Sequence, residues 1–243
     1  MTSFQQRGLG LVELMVGITV GLIVAAGASM VAVNQINEHR RLMLETQIQQ
    51  DLRAAADLIQ QDLRRAGFRG LPGQGVWSPP MAVGTQAEKS AGVVTANKFV
   101  EMVKTERNDD VSLTYLYARD GSTGEPVDAD HFGIRWNKGK ETLYVQIGSP
   151  GGAGNWQPIT DPESIRITGF NIDIESKPVD LPDFCDKPCT PAAAGGVTAC
   201  PTFEVRRVKF TITAEAKHDA KVKRTLSNVG RMRADVIKGA CPA

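Results

Sequence analysis

A lone carboxylate, Glu13, sits in residues 8–33, a run otherwise free of charge. An apolar helix of this length, rising about 1.5 Å per residue, spans a bilayer core of roughly 30 Å. An unpaired carboxylate there costs on the order of 2.5–3.5 kcal/mol on insertion scales. The chemistry open to Glu13 is therefore pairing with a positive group. The flank before the run is polar, with Arg7 as its only charged side chain, and keeps this end in the cytoplasm. An ordinary secretory signal places a small-residue cleavage site after its apolar region. Here the small residue, Gly8, comes first.

The second reactive set is four cysteines. Cys185, Cys189 and Cys200 lie in a stretch at 177–201 rich in proline, alanine and glycine, and Cys241 follows far along the chain. Four cysteines in an exported head favour two disulfides. Three connectivities exist. The expected pairing joins Cys185 or Cys189 to Cys200, and the remaining cysteine staples the tail through Cys241. A bridge across such a loop stabilises by about 2–4 kcal/mol. The C-x3-C-x10-C spacing is a poor match to the paired C-x2-C knuckles of a zinc site.

Other chemistry finds little footing. The three histidines, His39, His131 and His218, form no H-E-x-x-H, and no G-x-S-x-G elbow occurs. The glycine-rich segment at 148–154 lacks a phosphate-binding lysine and reads as a turn. Asp109-Asp110 and Asp128-x-Asp130 have the oxygen ligands calcium takes, but exposed loop acids usually bind nothing. No cofactor, metal or small-molecule substrate is expected, and no enzymatic activity. With 28 basic and 27 acidic residues, the chain is not a globally basic nucleic-acid binder. A local basic cluster at Arg206, Arg207 and Lys209, continued by Lys221, Lys223 and Arg224, offers a contact patch for DNA phosphates or an acidic neighbour. The plainer reading is a solvated strand face.

The elements that must position these residues follow from periodicity. Gly17, Gly21, Ala25 and Ser29 recur at four-residue spacing. Gly17-x-x-x-Gly21 is a small-xxx-small face suited to close helix packing in lipid. Past Asn34 the helical period continues in polar sequence, with Leu44, Ile48, Leu52, Ala55, Ile59, Leu63 and Ala66 forming an apolar stripe. Glu38 with Arg41, and Asp62 with Arg65, stand at i,i+3. Gly67, Gly70 and Pro72 end the helix. One helix over 9–66 would measure roughly 85–90 Å. Beyond it the pattern turns to period two, and strands are predicted over 98–103, 111–118, 141–147, 165–174, 203–216 and 221–233. A bulge is predicted at Gly169, where the apolar alternation slips by one residue. The last two strands are joined at 217–220.

Gly8-Leu9-Gly10-Leu11-Val12-Glu13-Leu14-Met15-Val16 resembles the processing motif of type IV pilins and type II secretion pseudopilins. The segment at 58–70, ending Arg64-Arg65-Ala66-Gly67-Phe68-Arg69-Gly70, is similar to the helix end of PilW-type minor pilins and J-type pseudopilins. The strand at 221–233 resembles their closing strand. Leu9 and Gly10 depart mildly from the usual phenylalanine and threonine. The resemblance implies an α+β, pilin-like fold. A long N-terminal helix, apolar in its first half, would pack on a C-terminal antiparallel β-sheet head. It also implies a division into a leader at 1–8, a membrane or filament-core half-helix at 9–33, an amphipathic half at 34–70 and a periplasmic head at 71–243. Prepilin peptidase would cut between Gly8 and Leu9 and methylate the Leu9 amine. Glu13 would then neutralise the amine of a neighbouring subunit, as a register device rather than a source of large stability.

The expected role is a minor pilin that primes or caps the type IV pilus, supporting motility, adhesion or DNA uptake. It would start in the inner membrane with its head in the periplasm. Its expected partners are the peptidase, other minor pilins, the major pilin and the inner-membrane assembly machinery. The nearest alternative is a J-type pseudopilin of type II secretion. An alternative of another class is a tip module binding DNA or a host surface, with the pilus parts as its stalk.

Overall fold

The computed structural model describes residues 10–70, 97–108, 110–119, 125–149, 153–185, 187–191, 200–234 and 236–238. With no proline to interrupt it, one helix, α1 (Leu11–Leu63), begins where the Leu14 amide reaches the Gly10 carbonyl. The chain divides into two compact units between Gln47 and Ile48, within this helix.

In the first unit every residue from Gly10 to Met43 is exposed. Here α1 is long and apolar enough to cross a membrane. An ion pair forms at i,i+4 between Arg41 and Glu45, 3.3 Å apart, rather than at the expected Glu38–Arg41 spacing. Both spacings share a helix face, and the arginine rotamer chooses between them.

In the second unit the predicted stripe is the buried face of α1, with Ile48, Leu52, Ala55, Ile59, Leu63 and Ala66 each at most 3% exposed. Leu44, the first residue of the predicted stripe, lies in the first unit and is only half-buried. Two antiparallel sheets complete this unit. The first has strands β1 (Met102–Arg107), β2 (Asp110–Leu116), β3 (His131–Asn137), β4 (Thr142–Ile147) and β5 (Trp156–Pro158), in that order. The second has β6 (Ile165–Asp180), β7 (Thr202–Ala216) and β8 (Asp219–Arg231), and β9 (Val236–Lys238) pairs with the start of β7. The inner face of the first sheet carries Leu113, Tyr115, Phe132, Ile134, Trp136, Leu143 and Val145. Ile167, Phe170, Ile172, Val208, Phe210 and Ile212 serve the second. The Trp136 indole ties the two sheets by donating to the Ile167 carbonyl at 3.0 Å.

Several boundaries differ from expectation for local reasons. Residues 98–100 form a 3-10 turn rather than strand, because the Asn97 side chain caps it by accepting the Phe99 amide at 3.0 Å. Glu141 adopts φ +52° in a turn, so β4 starts one residue later than predicted. The predicted strand at 165–174 continues as β6 to Asp180, and its last four residues pair with Thr202–Val205 of β7. The loop expected to begin at 177 therefore begins after Asp180. Pro178 is tolerated because β6 lies at the sheet edge, where a missing amide faces no partner. The register does shift between Ile167 and Gly169. The β7–β8 turn shrinks to Lys217 and His218, and β8 ends at Arg231. Strands β3, β5 and β9 were not predicted.

Candidate assembly surface and its anchors

The span has three polar side chains between Leu11 and Val33: Glu13, Thr19 and Ser29. Thr19 donates its hydroxyl to the Val16 carbonyl at 2.9 Å, and Ser29 donates to Ala25 at 2.8 Å. Both are thus satisfied within the helix. Glu13 lies exposed in the first turn, where the helix dipole favours an acid. It is the polar side chain of the described span left without a hydrogen bond or ion pair. A Cβ built on Gly17 or Gly21 would meet nothing within 4 Å, so this face is open to another helix. Gly8 and Leu9 lie outside the described residues.

The head is locked to the end of α1 by a polar cluster. Asp62 points from the buried side of the helix to the first sheet. Its Oδ2 accepts the Tyr115 hydroxyl, and its Oδ1 accepts the Tyr117 hydroxyl at 2.8 Å. Asp62 thus serves the sheet rather than the expected ion pair with Arg65, which sits instead beside the Tyr117 hydroxyl. Burial, and then the charge of Asp62, hold both phenols well above their ordinary range. The period-two pattern of the strand predicted over 111–118 places Tyr115 and Tyr117 on one face and names no partner for either hydroxyl. The missed signal was that a buried tyrosine hydroxyl needs a partner.

A second anchor forms where α1 stops. Gly67 takes φ +84°, the left-handed conformation that ends many helices. Its amide donates to Leu116 at 2.8 Å, and its carbonyl accepts Asn97 Nδ2 at 2.9 Å. Against it lies Arg206, 8% exposed, with Nη1 donating to the Val100 carbonyl at 2.7 Å and Nη2 to Ala234 at 3.4 Å. This corrects the expected basic patch of Arg206, Arg207 and Lys209. Alternation along β7 turns Arg206 inward with Val208 and Phe210, leaving Arg207 and Lys209 outside. Those two stand opposite Glu175 and Asp173 of β6. In the expected continuation, Lys223 faces outward opposite Glu215. Arg224 pairs with Ala214 and belongs to the other face.

Cys189 is bonded to Cys200. Cys185 is also in a disulfide, and Cys241 lies outside the described residues. Among the described loop acids, Asp110 accepts the Lys138 amide at 2.8 Å, and Asp130 accepts the amides of Arg119 and Val127. Backbone donors thus occupy these carboxylates. No group of three or more metal-ligating side chains occurs among the described residues.

Two comparisons with known families bear on this arrangement. The family described as Prepilin peptidase-dependent protein B matches residues 41–232, from the amphipathic part of α1 to the end of β8. The chain belongs to the prepilin peptidase-dependent protein B family. Residues 3–29 of this family member match the Prokaryotic N-terminal methylation motif, which contains Gly8, Leu9 and Glu13. Comparison with curated proteins and with solved structures finds no match. The two family matches, the exposed apolar helix and the antiparallel head make this a pilin-like protein of the type II secretion and type IV pilus kind.

Proposed function

We propose that this family member is a minor pilin that primes or caps a type IV pilus together with other minor pilins and the major pilin. Prepilin peptidase cuts between Gly8 and Leu9 and methylates the new amine. Until assembly the apolar half of α1 anchors the chain in the inner membrane with its head in the periplasm. The observation that carries the reading is Glu13, a carboxylate without a partner among the described residues, in an apolar span whose other two polar side chains, Thr19 and Ser29, are satisfied. Cleavage at Gly8 creates a cation four residues away. In a filament, the Glu13 of one subunit and the Leu9 amine of the next neutralise each other, fixing the axial register while the open Gly17 and Gly21 face lets helices approach.

Mass spectrometry of the protein from cells with active prepilin peptidase tests the processing step. The expected N-terminus is N-methyl-Leu9, and an intact Met1 start refutes it. Glu13→Leu should insert in the membrane normally yet fail to co-purify with companion pilins. Normal incorporation of that variant refutes the register role. The identity of the companions, pilus or type II secretion subunits, decides the pathway.

A further inference from the structure

The outer face of the first sheet carries a cation held on two aromatic rings. Alternation puts Gly133 and Arg135 of β3, Tyr144 and Gln146 of β4, and Trp156 of β5 on this side, away from the core residues Ile134, Val145 and Phe132. Arg135 extends from β3 over β4 towards β5. Its guanidinium carbon lies 5.4 Å from the centroid of the Tyr144 ring and 4.5 Å from that of Trp156. Lys140, in the β3–β4 turn, places its ammonium 6.0 Å from the Tyr144 centroid.

The platform is built rather than incidental. A Cβ on Gly133 would come within 3.1 Å of the Trp156 ring and 3.0 Å of the Leu113 carbonyl, so glycine is what lets the indole lie over β3. The ring faces hold the cation but offer its N–H groups no strong acceptor. Arg135 Nε is closed off from solvent with no hydrogen-bond partner, and the side chain has no ion pair among the described residues. The one carboxylate at an outer-face position of this sheet, Asp110, is occupied by Asn137 Nδ2 and the Lys138 amide. A guanidinium so held, with no hydrogen bond or ion pair among the described residues, suits the planar two-oxygen geometry of a carboxylate. Aromatic stacking has already removed much of the rotamer freedom that binding would cost.

We propose that Arg135, positioned by Tyr144 and Trp156, receives an aspartate or glutamate side chain from the head of a neighbouring subunit. Lys140 adds positive charge beside the same contact. The identity of the occupant as a subunit rests on the minor-pilin reading. The carboxylate chemistry does not.

Two measurements separate these parts. First, the full-length processed chain in detergent is titrated with an acetylated, amidated tetraglutamate peptide, and with tetraglutamine as its neutral counterpart. Tryptophan fluorescence of wild type is compared with that of Trp156→Phe. A saturable Trp156 response to tetraglutamate, absent with tetraglutamine and weakened at least about tenfold in Arg135→Gln and Arg135→Lys, is expected. No saturable response, or an equal response in Arg135→Gln, overturns the carboxylate site. Second, Arg135→Gln is expressed in cells and its co-purification with companion pilins is measured. Strong loss with normal Leu9 methylation is expected, with the unfolding midpoint lowered only by the small contribution of the ring contacts, since Arg135 makes no hydrogen bond or ion pair among the described residues. Wild-type co-purification of this variant overturns the subunit as occupant. Failure of the wild-type protein itself to co-purify with any pilin refutes the minor-pilin reading, and with it the subunit as occupant, while the peptide titration still judges the site.

Discussion

Tyr115→Phe tests how α1 is fastened to the head. The ring stays, so no cavity opens, and only the hydroxyl donated to Asp62 is lost. Tyr115 is 2% exposed, and its acceptor is a carboxylate. A hydrogen bond to a charged group contributes about 1.5–3 kcal/mol. The substitution should therefore destabilise the full chain by that amount, or lower its midpoint by roughly 3–12 °C for a protein of this size. Tyr117→Phe should cost less, because Arg65 beside that hydroxyl already offsets part of the Asp62 charge. The double variant should show coupling, since both phenols share one carboxylate.

The alkaline limb supplies an independent check. Both phenols are held above the ordinary value of 10.0 when folded, so the unfolded chain loses these protons first. The contribution of these two phenols to stability is then constant below pH 10 and falls as pH climbs beyond it. Tyr115→Phe should flatten that fall. Denaturant melts in detergent and tyrosinate absorbance give both readouts. Of the three tyrosines, two should ionise only with unfolding. A loss under about 0.5 kcal/mol in Tyr115→Phe, within the scatter of ordinary surface changes, refutes the anchor. So does ionisation of all three tyrosines in the folded chain near pH 10.

Burial, and then the charge of Asp161, raise the Asp51 carboxyl, whereas the Glu163 amide and the Ser164 hydroxyl lower that of Asp161. Asp51→Asn should thus stabilise the folded chain at neutral pH, with a gain that shrinks as pH falls through the carboxylate range; melts at pH 7 and pH 4 compare the two. Gly67→Ala would force an alanine to φ +84° with its Cβ 2.8 Å from that of Ala234, and should cost at least about 1–3 kcal/mol by denaturant melt. Cys200→Ser opens the bridge to Cys189 and should cost about 2–4 kcal/mol under oxidising conditions, with no difference from wild type once both are reduced.

The parts legible in the sequence were those with a strong period. The stripe from Ile48 to Ala66 is buried as read because helical spacing leaves one choice of face. The slip at Gly169 appeared as a phase change in the apolar alternation, and the register shifts there. Strand β3 was missed although Phe132, Ile134 and Trp136 alternate plainly, so that signal was available. The inward turn of Arg206 was also available, since Val208 and Phe210 share its parity on β7. A cluster of basic letters outweighed the period. Strands β5 and β9, three residues each, carry too few positions to show a period at all.

By itself the sequence determined that one end of this protein joins a prepilin-type methylation motif to an apolar run of membrane-spanning length. An uncharged run of bilayer length, a glycine ahead of it and one acid within it require only local counting, because membrane span and processing motif are written in consecutive residues. The tertiary structure decided what the head does with its polar groups. Asp62 meets Tyr115 and Tyr117 more than fifty positions away, and Arg206 reaches Val100 across more than a hundred. Arg135 finds Tyr144 and Trp156 only because β3, β4 and β5 pair in that register. Contacts of this kind depend on which strands lie side by side, and residue order does not carry that.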